Sequence, residues 1–361
     1  MPGLFDPIRL GDINCPNRML MAPMTRCRAN RDHVPTPIMG EYYAQRAAAG
    51  LIISEGTGVS REGLGTGFAP GIWTDEQTEA WKPVVEATHR AGGRIFCQLW
   101  HMGRISHSDF NNGEPPVSAS ATRTEGNIRT YEGKKAYETA RALRLDEILR
   151  LIDDYGHAAE NAKKAGFDGV QLHGANGYLI DQFIRSNSNL RDDDYGGPIE
   201  NRIRLLGEVT QRLVDIWGQG RTSVRLSPNG DTQGADDATP NETFTAAAKL
   251  LSDIGIAFLE LREPPPHGTY GATDVPAVSP HIRPVFDGPL VLNSDYFFDN
   301  ASAALAEGKA DAISFGRTFM TNPDLVERFR TGASLSPIDF TPSWYTQDSE
   351  GYTDYPAASE V

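Results

Sequence analysis

Residues 168–183 read DGVQLHGANGYLIDQF and combine an apolar strand, a polar turn and the start of a helix. The strand at 169–172 leads into a turn that carries His173, Asn176 and Tyr178. His173 and Asn176 can both donate hydrogen bonds to one oxygen, and Tyr178 can supply a proton nearby. Such a set suits the activation of a carbonyl or nitro group followed by protonation of a carbon. A buried His, a turn Asn and a core Tyr form the structural alternative.

Seven other apolar segments have the character of this strand, and helical patterns separate them. The predicted strands are 18–23, 51–55, 94–99, 169–172, 222–227, 257–262, 289–292 and 311–315. The predicted helices are 38–49, 75–91, 146–165, 198–217, 240–253, 279–286, 299–307 and 324–330. Eight strands that alternate with helices are typical of an α/β fold with a parallel (β/α)8 barrel, the TIM barrel. A doubly wound open sheet is the alternative, but its glycine-rich fingerprint after an early strand is missing.

Two segments stand outside this alternation of strands and helices. Residues 5–16 alternate apolar and polar residues around a Gly-Asp turn, which predicts an N-terminal hairpin that plugs the barrel. Residues 101–144, after the third strand, are rich in Gly, Pro, Ser and Thr. A connection of this length is usually functional or contains a small hairpin of its own, so we expect a loop and hairpin insertion there. We expect residues 1–361 to form a single domain.

Polar side chains follow all eight predicted strands, at the end of the barrel where enzymes of this fold place their active sites. Arg225 lies one residue inside the rim of the fifth strand. We expect it to point inward with Gln98 and His173. Costly side chains at such positions need partners, which favours a functional over a purely structural interpretation.

The loops after the seventh and eighth strands read NSDY and GRTF, and loops at these positions bind phosphate in many barrels. Backbone amides at Ser294, Asp295 and Gly316, together with the cation of Arg317, could hold a phosphate. The fixed cation of Arg225 suits an electron-rich ring that gains negative charge, as a flavin does on reduction. FMN therefore fits the pattern, but a sugar phosphate would satisfy the phosphate argument equally well.

The composition excludes several classes of function. The chain has 361 residues, of which 39% are hydrophobic, and its formal net charge of −14 argues against nucleic acid and anionic membranes as partners. Cys15, Cys27 and Cys97 have no paired spacing, which argues against disulfides and a zinc site and favours the cytoplasm. No secretory signal or membrane-spanning run is visible. No cluster of carboxylates and histidines gathers at the strand ends, so no metal site is predicted.

Eight motifs distributed over essentially the whole chain carry a resemblance to a known family. They are NRMLMAPMTRCR at 17–28, EYYAQRAAAGLIISEGT at 41–57, QLWHMGRISH at 98–107, HGANGYLIDQF at 173–183, YGGPIENRIRLL at 195–206, VRLSPNG at 224–230, FGRTFMTNPDL at 315–325 and EGYTDYP at 350–356. The set resembles the Old Yellow Enzyme family, in particular the bacterial alkene (ene-) reductases that include N-ethylmaleimide reductase. The set is highly specific, although no single motif would be.

The resemblance implies an NAD(P)H-dependent enzyme with tightly but non-covalently bound FMN. By similarity, the cofactor-binding residues are Pro23, Met24, Thr25, Gly56, Gln98, His173, Arg225, Ser294, Asp295, Gly316 and Arg317. By similarity, the substrate cavity is lined by Thr25, Thr66, Trp100, His173, Asn176, Tyr178, Gln233, Tyr270 and Tyr345.

The resemblance also implies the reaction. His173 and Asn176 would hold the oxygen of an electron-withdrawing group, and Tyr178 would donate the proton when the C=C bond of an activated alkene is reduced. The implied substrates are enones, enals, maleimides and nitroalkenes. The choice between NADPH and NADH, and between a monomer and a homodimer, is left open by the sequence.

Three positions bear on how closely the family pattern is followed. Many relatives have a glycine where Ser294 stands, so this loop must hold its shape without that freedom. Asp295 brings a negative charge near the expected phosphate, so its side chain should turn away. Many relatives in this group have a histidine where Asn176 stands, and either side chain can donate a hydrogen bond.

Two other classes of protein share part of the pattern. A flavin-free barrel lyase or isomerase acting on a phosphorylated substrate would normally need a catalytic lysine or a metal near the strand ends, and neither is seen. A flavin-binding protein without turnover would not need the set of His173, Asn176 and Tyr178.

Overall fold

A computed structural model describes residues 2–338 and 340–358 and contains a closed barrel of eight parallel strands. The strands are β1 (Met19–Met21), β2 (Leu51–Ile53), β3 (Ile95–Trp100), β4 (Gly169–His173), β5 (Thr222–Leu226), β6 (Leu259–Arg262), β7 (Leu290–Asn293) and β8 (Ala312–Phe315). Neighbours in sequence are neighbours in the sheet, and pairing of β8 with β1 closes the ring. The structure confirms the predicted (β/α)8 barrel.

Each strand is followed by an outer helix. These helices are α1 (Pro37–Gln45), α2 (Asp75–Arg90), α3 (Leu145–Ala165), α4 (Arg204–Trp217), α5 (Pro240–Ile254), α6 (Ser279–Ile282), α7 (Phe298–Ala306) and α8 (Leu325–Thr331). Shorter helical segments are Ser108–Phe110, Leu179–Ile184, Ile199–Arg202, Gln219–Arg221, Arg317–Thr321 and Pro342–Tyr345. The predicted helix 198–217 is interrupted at Ile203, and the helix predicted at 279–286 is confined to its first four residues.

Helix α3 illustrates how the sequence sets an outer helix. Its N-terminus is capped because Glu147 accepts a hydrogen bond from the backbone amide of Arg144 at 2.9 Å. Its buried face repeats at helical spacing through Ile148, Leu151 and Tyr155. Gly166 ends the helix with φ of 93°, a left-handed conformation that glycine adopts without strain.

The N-terminal hairpin closes the bottom of the barrel, as predicted. Strand Ile8–Leu10 pairs with strand Ile13–Cys15 in antiparallel register. The hairpin buries Leu10, Ile13 and Cys15 against an apolar layer inside the barrel. The barrel residues of this layer are Leu20, Leu51, Ile53, Phe96, Ala257, Phe258, Val291 and Ala312. The lower part of the barrel is therefore a packed hydrophobic core.

The insertion after β3 also contains a hairpin, as predicted. Strands Asn127–Thr130 and Gly133–Ala136 pair in antiparallel register. Residues Val117–Ser118 and Arg141–Ala142 pair in parallel at the base of the insertion, and a short strand Thr57–Gly58 adds to β3. In the part of the chain that the structure describes, no helix is both long and apolar enough to cross a membrane.

The C-terminal segment is held across the top of the barrel by arginines that follow β1. The guanidinium of Arg28 donates hydrogen bonds to the carbonyl oxygens of Trp344 at 2.6 Å, Ser343 at 2.8 Å and Glu350 at 2.8 Å. The same group lies 4.5 Å over the ring of Tyr352. One cation thus satisfies several carbonyls of a segment that has little regular structure of its own.

We expect Arg28→Met to release residues 341–358 from the barrel. The loss of several charge-assisted hydrogen bonds should lower the free energy of unfolding by about 2–4 kcal/mol and speed limited proteolysis in this segment. The control is Arg330→Met, because Arg330 and Glu327 form an exposed pair at 2.8 Å that should contribute at most about 1 kcal/mol. Equal denaturant midpoints and cleavage rates for the two variants would contradict this role of Arg28.

Candidate active site

Three aromatic side chains form a contiguous cluster at the carboxyl ends of β3 and β4. The rings of Trp100 and His173 are nearly parallel, with centroids 6.1 Å apart. Tyr178 stands edge-on to both, at 5.0 Å from each centroid. Gly56 makes this arrangement possible, because a Cβ at that position would lie 2.5 Å from the Trp100 ring. His173 and Tyr178 of the opening motif are therefore brought together around Trp100.

His173 is held as a neutral hydrogen-bond donor. Its Nδ1 accepts a hydrogen bond from the backbone amide of Ala175 at 3.3 Å, which assigns the proton to Nε2. Burial and the nearby cation of Arg225 hold the pKa of His173 well below its usual value. A neutral imidazole with a proton on Nε2 can donate a hydrogen bond to an oxygen without transferring that proton.

The Asn176 side chain is presented on a strained turn. Its φ is 60°, and the turn is fixed because its backbone amide donates to Ser227 Oγ at 2.7 Å and its carbonyl accepts from Gln233 Nε2 at 2.7 Å. Within residues 2–338 and 340–358, Asn176 Oδ1 is a buried atom without a hydrogen-bond partner. Backbone strain and an unpaired buried oxygen at one residue are typical of a binding site.

Tyr178 is surrounded by other aromatic residues. Burial first, and the neighbouring hydroxyl of Tyr270 next, raise the pKa of Tyr178 well above its usual value. Tyr137 of the insertion packs in the same apolar cluster as Trp100 and Tyr178. A phenol in this environment retains its proton at neutral pH and can donate it.

Arg225 and Gln98 lie in a buried polar layer between the apolar bottom of the barrel and its mouth. Gln98 Nε2 donates to Gln171 Oε1 at 2.9 Å, and Gln171 Nε2 donates to Glu260 Oε2 at 2.9 Å. Arg225 is paired with Glu260 and donates to Asn293 Oδ1 at 2.8 Å. The predicted inward direction of Arg225 and Gln98 is thus observed, but Arg225 is a compensated cation rather than a free one.

The loop after β7 adopts a conformation that glycine favours, although Ser294 and Asp295 occupy these positions. Ser294 has φ of 116° and Asp295 has φ of 49°, a local strain that is typical of functional loops. The Asp295 carboxylate accepts a hydrogen bond from the Thr269 backbone amide at 3.0 Å and lies 3.3 Å from the Arg317 guanidinium. It is therefore turned toward the loop after β6, and Arg317 is partly neutralised.

The remaining predicted residues differ in their exposure to solvent. Half-buried residues are Pro23, Met24, Thr25, Thr66, Gln233 and Gly316. Met24 Sδ lies 3.6 Å from the position of a Cβ on Gly316, so the ends of β1 and β8 adjoin. Tyr270 and Tyr345 are 67% and 48% exposed and stand at the outer edge of the mouth.

Sequence reasoning missed Gln171, Glu260 and Tyr137. Glu260 had a signal, because it is a charged residue at an inward position of an apolar strand, where an unpaired charge would be costly. Gln171 gave a weaker signal of the same kind. Tyr137 gave none, because it belongs to the insertion, whose path over the mouth is set by tertiary contacts.

The described residues contain no group of three or more His, Cys, Asp or Glu side chains that could hold a metal ion. The polar groups that the structure brings to this end of the barrel include hydrogen-bond donors, a phenol and a compensated cation.

Comparison with known proteins gives consistent similarities over nearly the full length. The sequence profile of the NADH:flavin oxidoreductase / NADH oxidase family matches residues 3–336. The structure of an old yellow enzyme homologue from Zymomonas mobilis is 61% identical, with a TM-score of 0.96 over 98% of this chain and 99% of that chain. Morphinone reductase in complex with tetrahydroNAD is 42% identical, with a TM-score of 0.92 over 99% of this chain and 98% of that one. The 12-oxophytodienoate reductase 1 of Oryza sativa subsp. japonica is 39% identical over 99% of this chain and 94% of its own length.

We expect His173 to remain a neutral Nε2–H tautomer between pH 6 and 8, because both burial and Arg225 lower its pKa. Nitrogen NMR of protein labelled in histidine, with the signal assigned by its loss in His173→Asn, checks this. Arg225→Met should raise the pKa of His173 by removing one of the two causes. A His173 signal in the native protein that titrates near pH 6.5 would contradict the assignment.

Proposed function

We propose that this chain, which belongs to the Old Yellow Enzyme family of NAD(P)H-dependent FMN oxidoreductases, reduces the C=C bond of activated alkenes. The proposed substrates are small enones, enals, maleimides and nitroalkenes. The observation that carries the proposal is the neutral Nε2–H of His173, which stands beside the phenol of Tyr178 and on the same loop as Asn176, whose side chain makes no hydrogen bond among the described residues. We further propose that residues 1–361 work as one FMN-binding domain.

The residues of the mouth fit the flavin ring. Gln98 has an Oε1 without a hydrogen bond in the described part of the chain and a second N–H that is not used by Gln171. Arg225 belongs to the same polar layer, through Glu260 and Gln171, and its Nε has no hydrogen-bond partner among the described residues. A ring edge that offers both an N–H and carbonyl oxygens suits such donors and acceptors. Pro23, Met24, Thr25 and Gly56 would contact the remainder of the ring.

The phosphate of FMN would be held by the loops after β7 and β8. Ser294, Asp295 and Gly316 would contribute backbone amides, and Arg317 would contribute a cation. Support comes from the left-handed conformation of Ser294 and Asp295, which turns successive amides toward one side of a loop. The Asp295 carboxylate accepts a hydrogen bond from the Thr269 backbone amide and lies 3.3 Å from the Arg317 guanidinium, so it offsets part of the charge that Arg317 would offer to the phosphate.

Substrate activation would depend on His173 and Asn176. Their N–H groups would bind the carbonyl or nitro oxygen of the substrate, and negative charge that develops on this oxygen would strengthen both hydrogen bonds. The β-carbon thereby becomes electrophilic. When bound and reduced by NAD(P)H, FMN supplies the hydride for this carbon.

Tyr178 would deliver the proton to the α-carbon. Its raised pKa keeps the phenol protonated at neutral pH, and its edge-on contacts with Trp100 and His173 hold the ring beside the proposed site of the substrate oxygen. Trp100, Thr25, Thr66 and Gln233 would shape the cavity, and the exposed Tyr270 and Tyr345 would form its rim. The flavin-free lyase or isomerase is not supported, because the family is one of FMN enzymes.

An anaerobic titration with NADPH, followed at the visible absorbance of the flavin, tests the proposal. We expect the yellow colour to bleach and to return when 2-cyclohexenone is added. Bleaching without recovery by an enone, an enal, a maleimide or a nitroalkene would contradict alkene reduction while leaving the cofactor in place. The same titration with NADH compares the two donors.

We expect His173→Ala and Asn176→Ala to weaken phenol binding and to slow alkene reduction by about 100- to 1000-fold, since a preorganised donor of this kind contributes ~3–4 kcal/mol. Flavin reduction by NADPH should change less in Asn176→Ala. The matched control is Asn176→His, which restores an N–H donor and should retain turnover. Unchanged phenol affinity and alkene turnover in the alanine variants would exclude the assigned role.

We expect Tyr178→Phe to slow the reduction of enones strongly and the reduction of nitroalkenes much less. A nitro group stabilises the carbanion that remains after hydride addition, so its protonation can come from solvent. Pre-steady-state rates of flavin reoxidation with 2-cyclohexenone and with a nitroalkene provide the comparison. Equal slowing of both substrates would mean that Tyr178 acts in binding rather than in proton transfer.

A further inference from the structure

We propose that Glu260 is a positioning residue for the flavin, which sets the orientation of the Gln98 amide and compensates the charge of Arg225. This inference rests on the proposed contacts of Gln98 and Arg225 with the flavin ring. Glu260 is an inward residue of β6 that neither the sequence motifs nor the proposed reaction accounts for.

The surroundings of Glu260 require an ionised carboxylate. Its side chain is fully buried, and its Oε1 accepts hydrogen bonds from Arg225 Nη1 and from Ser314 Oγ at 2.5 Å. Its Oε2 accepts from Gln171 Nε2 at 2.9 Å. All three partners donate, so the carboxylate acts only as an acceptor, as an ionised group does.

An obligate acceptor at this position determines the orientation of two amides in turn. Gln171 has to present its Nε2 to Glu260, so its Oε1 faces Gln98. Gln98 then has to present its Nε2 to Gln171, at 2.9 Å. This leaves Gln98 Oε1 and one N–H for a ligand, a pair that complements an imide edge in which an N–H stands beside a carbonyl. The charge of Glu260 thus selects which amide atoms meet the ring.

Glu260 also limits the positive charge that a ligand encounters. Arg225 is fixed in one plane by Glu260 on one side and by Asn293 Oδ1 at 2.8 Å on the other, and Asn293 is itself held by the Ser314 carbonyl at 2.8 Å. Because the carboxylate is buried beside the guanidinium, it opposes the attraction of Arg225 for negative charge. A flavin that becomes anionic on reduction would be stabilised less here than by an unpaired arginine.

Glu260→Gln removes the charge but keeps an oxygen for Arg225. We expect the two-electron equilibrium of the bound flavin to shift at least tenfold toward the reduced form, which corresponds to about 30 mV in midpoint potential. We also expect a loss of selectivity for the imide N–H. In Glu260→Gln the amide oxygen stays on Arg225, so its NH2 faces Gln171 and reverses the orientation that the carboxylate imposes on Gln171 and Gln98. Incubation of holoenzyme with excess N3-methyl FMN measures this selectivity: native protein should prefer FMN at least tenfold, and the variant at most threefold.

Gln171→Met separates the orientation of the Gln98 amide from the compensation of the Arg225 charge. It also tests the orientation if Glu260→Gln does not fold. It interrupts the hydrogen bonds from Glu260 through Gln171 to Gln98 but leaves Arg225 in place. The selectivity for the imide N–H should therefore fall, while the two-electron equilibrium of the bound flavin should change by less than threefold. The control is Asp237→Asn, which also removes a buried carboxylate, paired with Arg202 at 2.5 Å, but outside the polar layer. The midpoint potential of the flavin and the selectivity for FMN over N3-methyl FMN should match those of the native protein in this control.

Arg225→Met distinguishes failure of this inference from failure of the underlying contact. We expect Arg225→Met to lower the potential. If it does, and Glu260→Gln changes neither the potential nor the selectivity, the role of Glu260 is overturned and the flavin contact of Arg225 stands. If Arg225→Met leaves the potential unchanged, or if native protein does not discriminate against N3-methyl FMN, the proposed ring contacts fail and the inference fails with them.

Discussion

Closure of the eight-stranded barrel is the constraint on which the rest of the structure depends. In a closed parallel barrel every second side chain of each strand points to the axis, and the available volume must be filled layer by layer. Here the bottom layer is apolar and is completed by the N-terminal hairpin, which supplies Leu10, Ile13 and Cys15. The hairpin thus contributes packing that the barrel strands alone do not provide, and it leaves the opposite end of the barrel as the accessible end.

Above the apolar layer, the barrel contains a buried ionic and amide layer whose members satisfy one another. An isolated buried charge would be very costly, so Arg225 and Glu260 depend on each other and on the flanking amides of Gln171 and Asn293. Such a layer stabilises a fold less than apolar packing would, but it specifies one arrangement of donors and acceptors. The site at the mouth therefore rests on a layer that fixes hydrogen-bond directions rather than on a layer that fixes only volume.

The sequence predicts this architecture well where the signal is local. The eight strands, the outer helices, the hairpin plug and the insertion follow from the spacing of apolar residues and from turn residues, and the cluster of His173, Asn176 and Tyr178 lies on one short segment. The side-chain pairs that form across the barrel join residues far apart in the sequence, so local patterns do not predict them. Glu260 is visible in the sequence as a charge in an apolar strand, but its contacts with Arg225, Gln171 and Ser314 join residues 35 to 89 positions apart.

The same reasoning explains why the outer edge of the mouth is hardest to predict. Tyr137 reaches the cluster from the insertion, and Tyr345 is carried by the C-terminal segment that Arg28 anchors. Neither segment has a strong pattern of its own, because each is shaped by the surface on which it lies. The reacting groups of the proposed mechanism thus stand on rigid strand ends, while the residues that would decide which alkenes enter are supplied by irregular segments. In the proposed mechanism, changes in those segments would alter substrate preference and leave the donor pair and the polar layer intact.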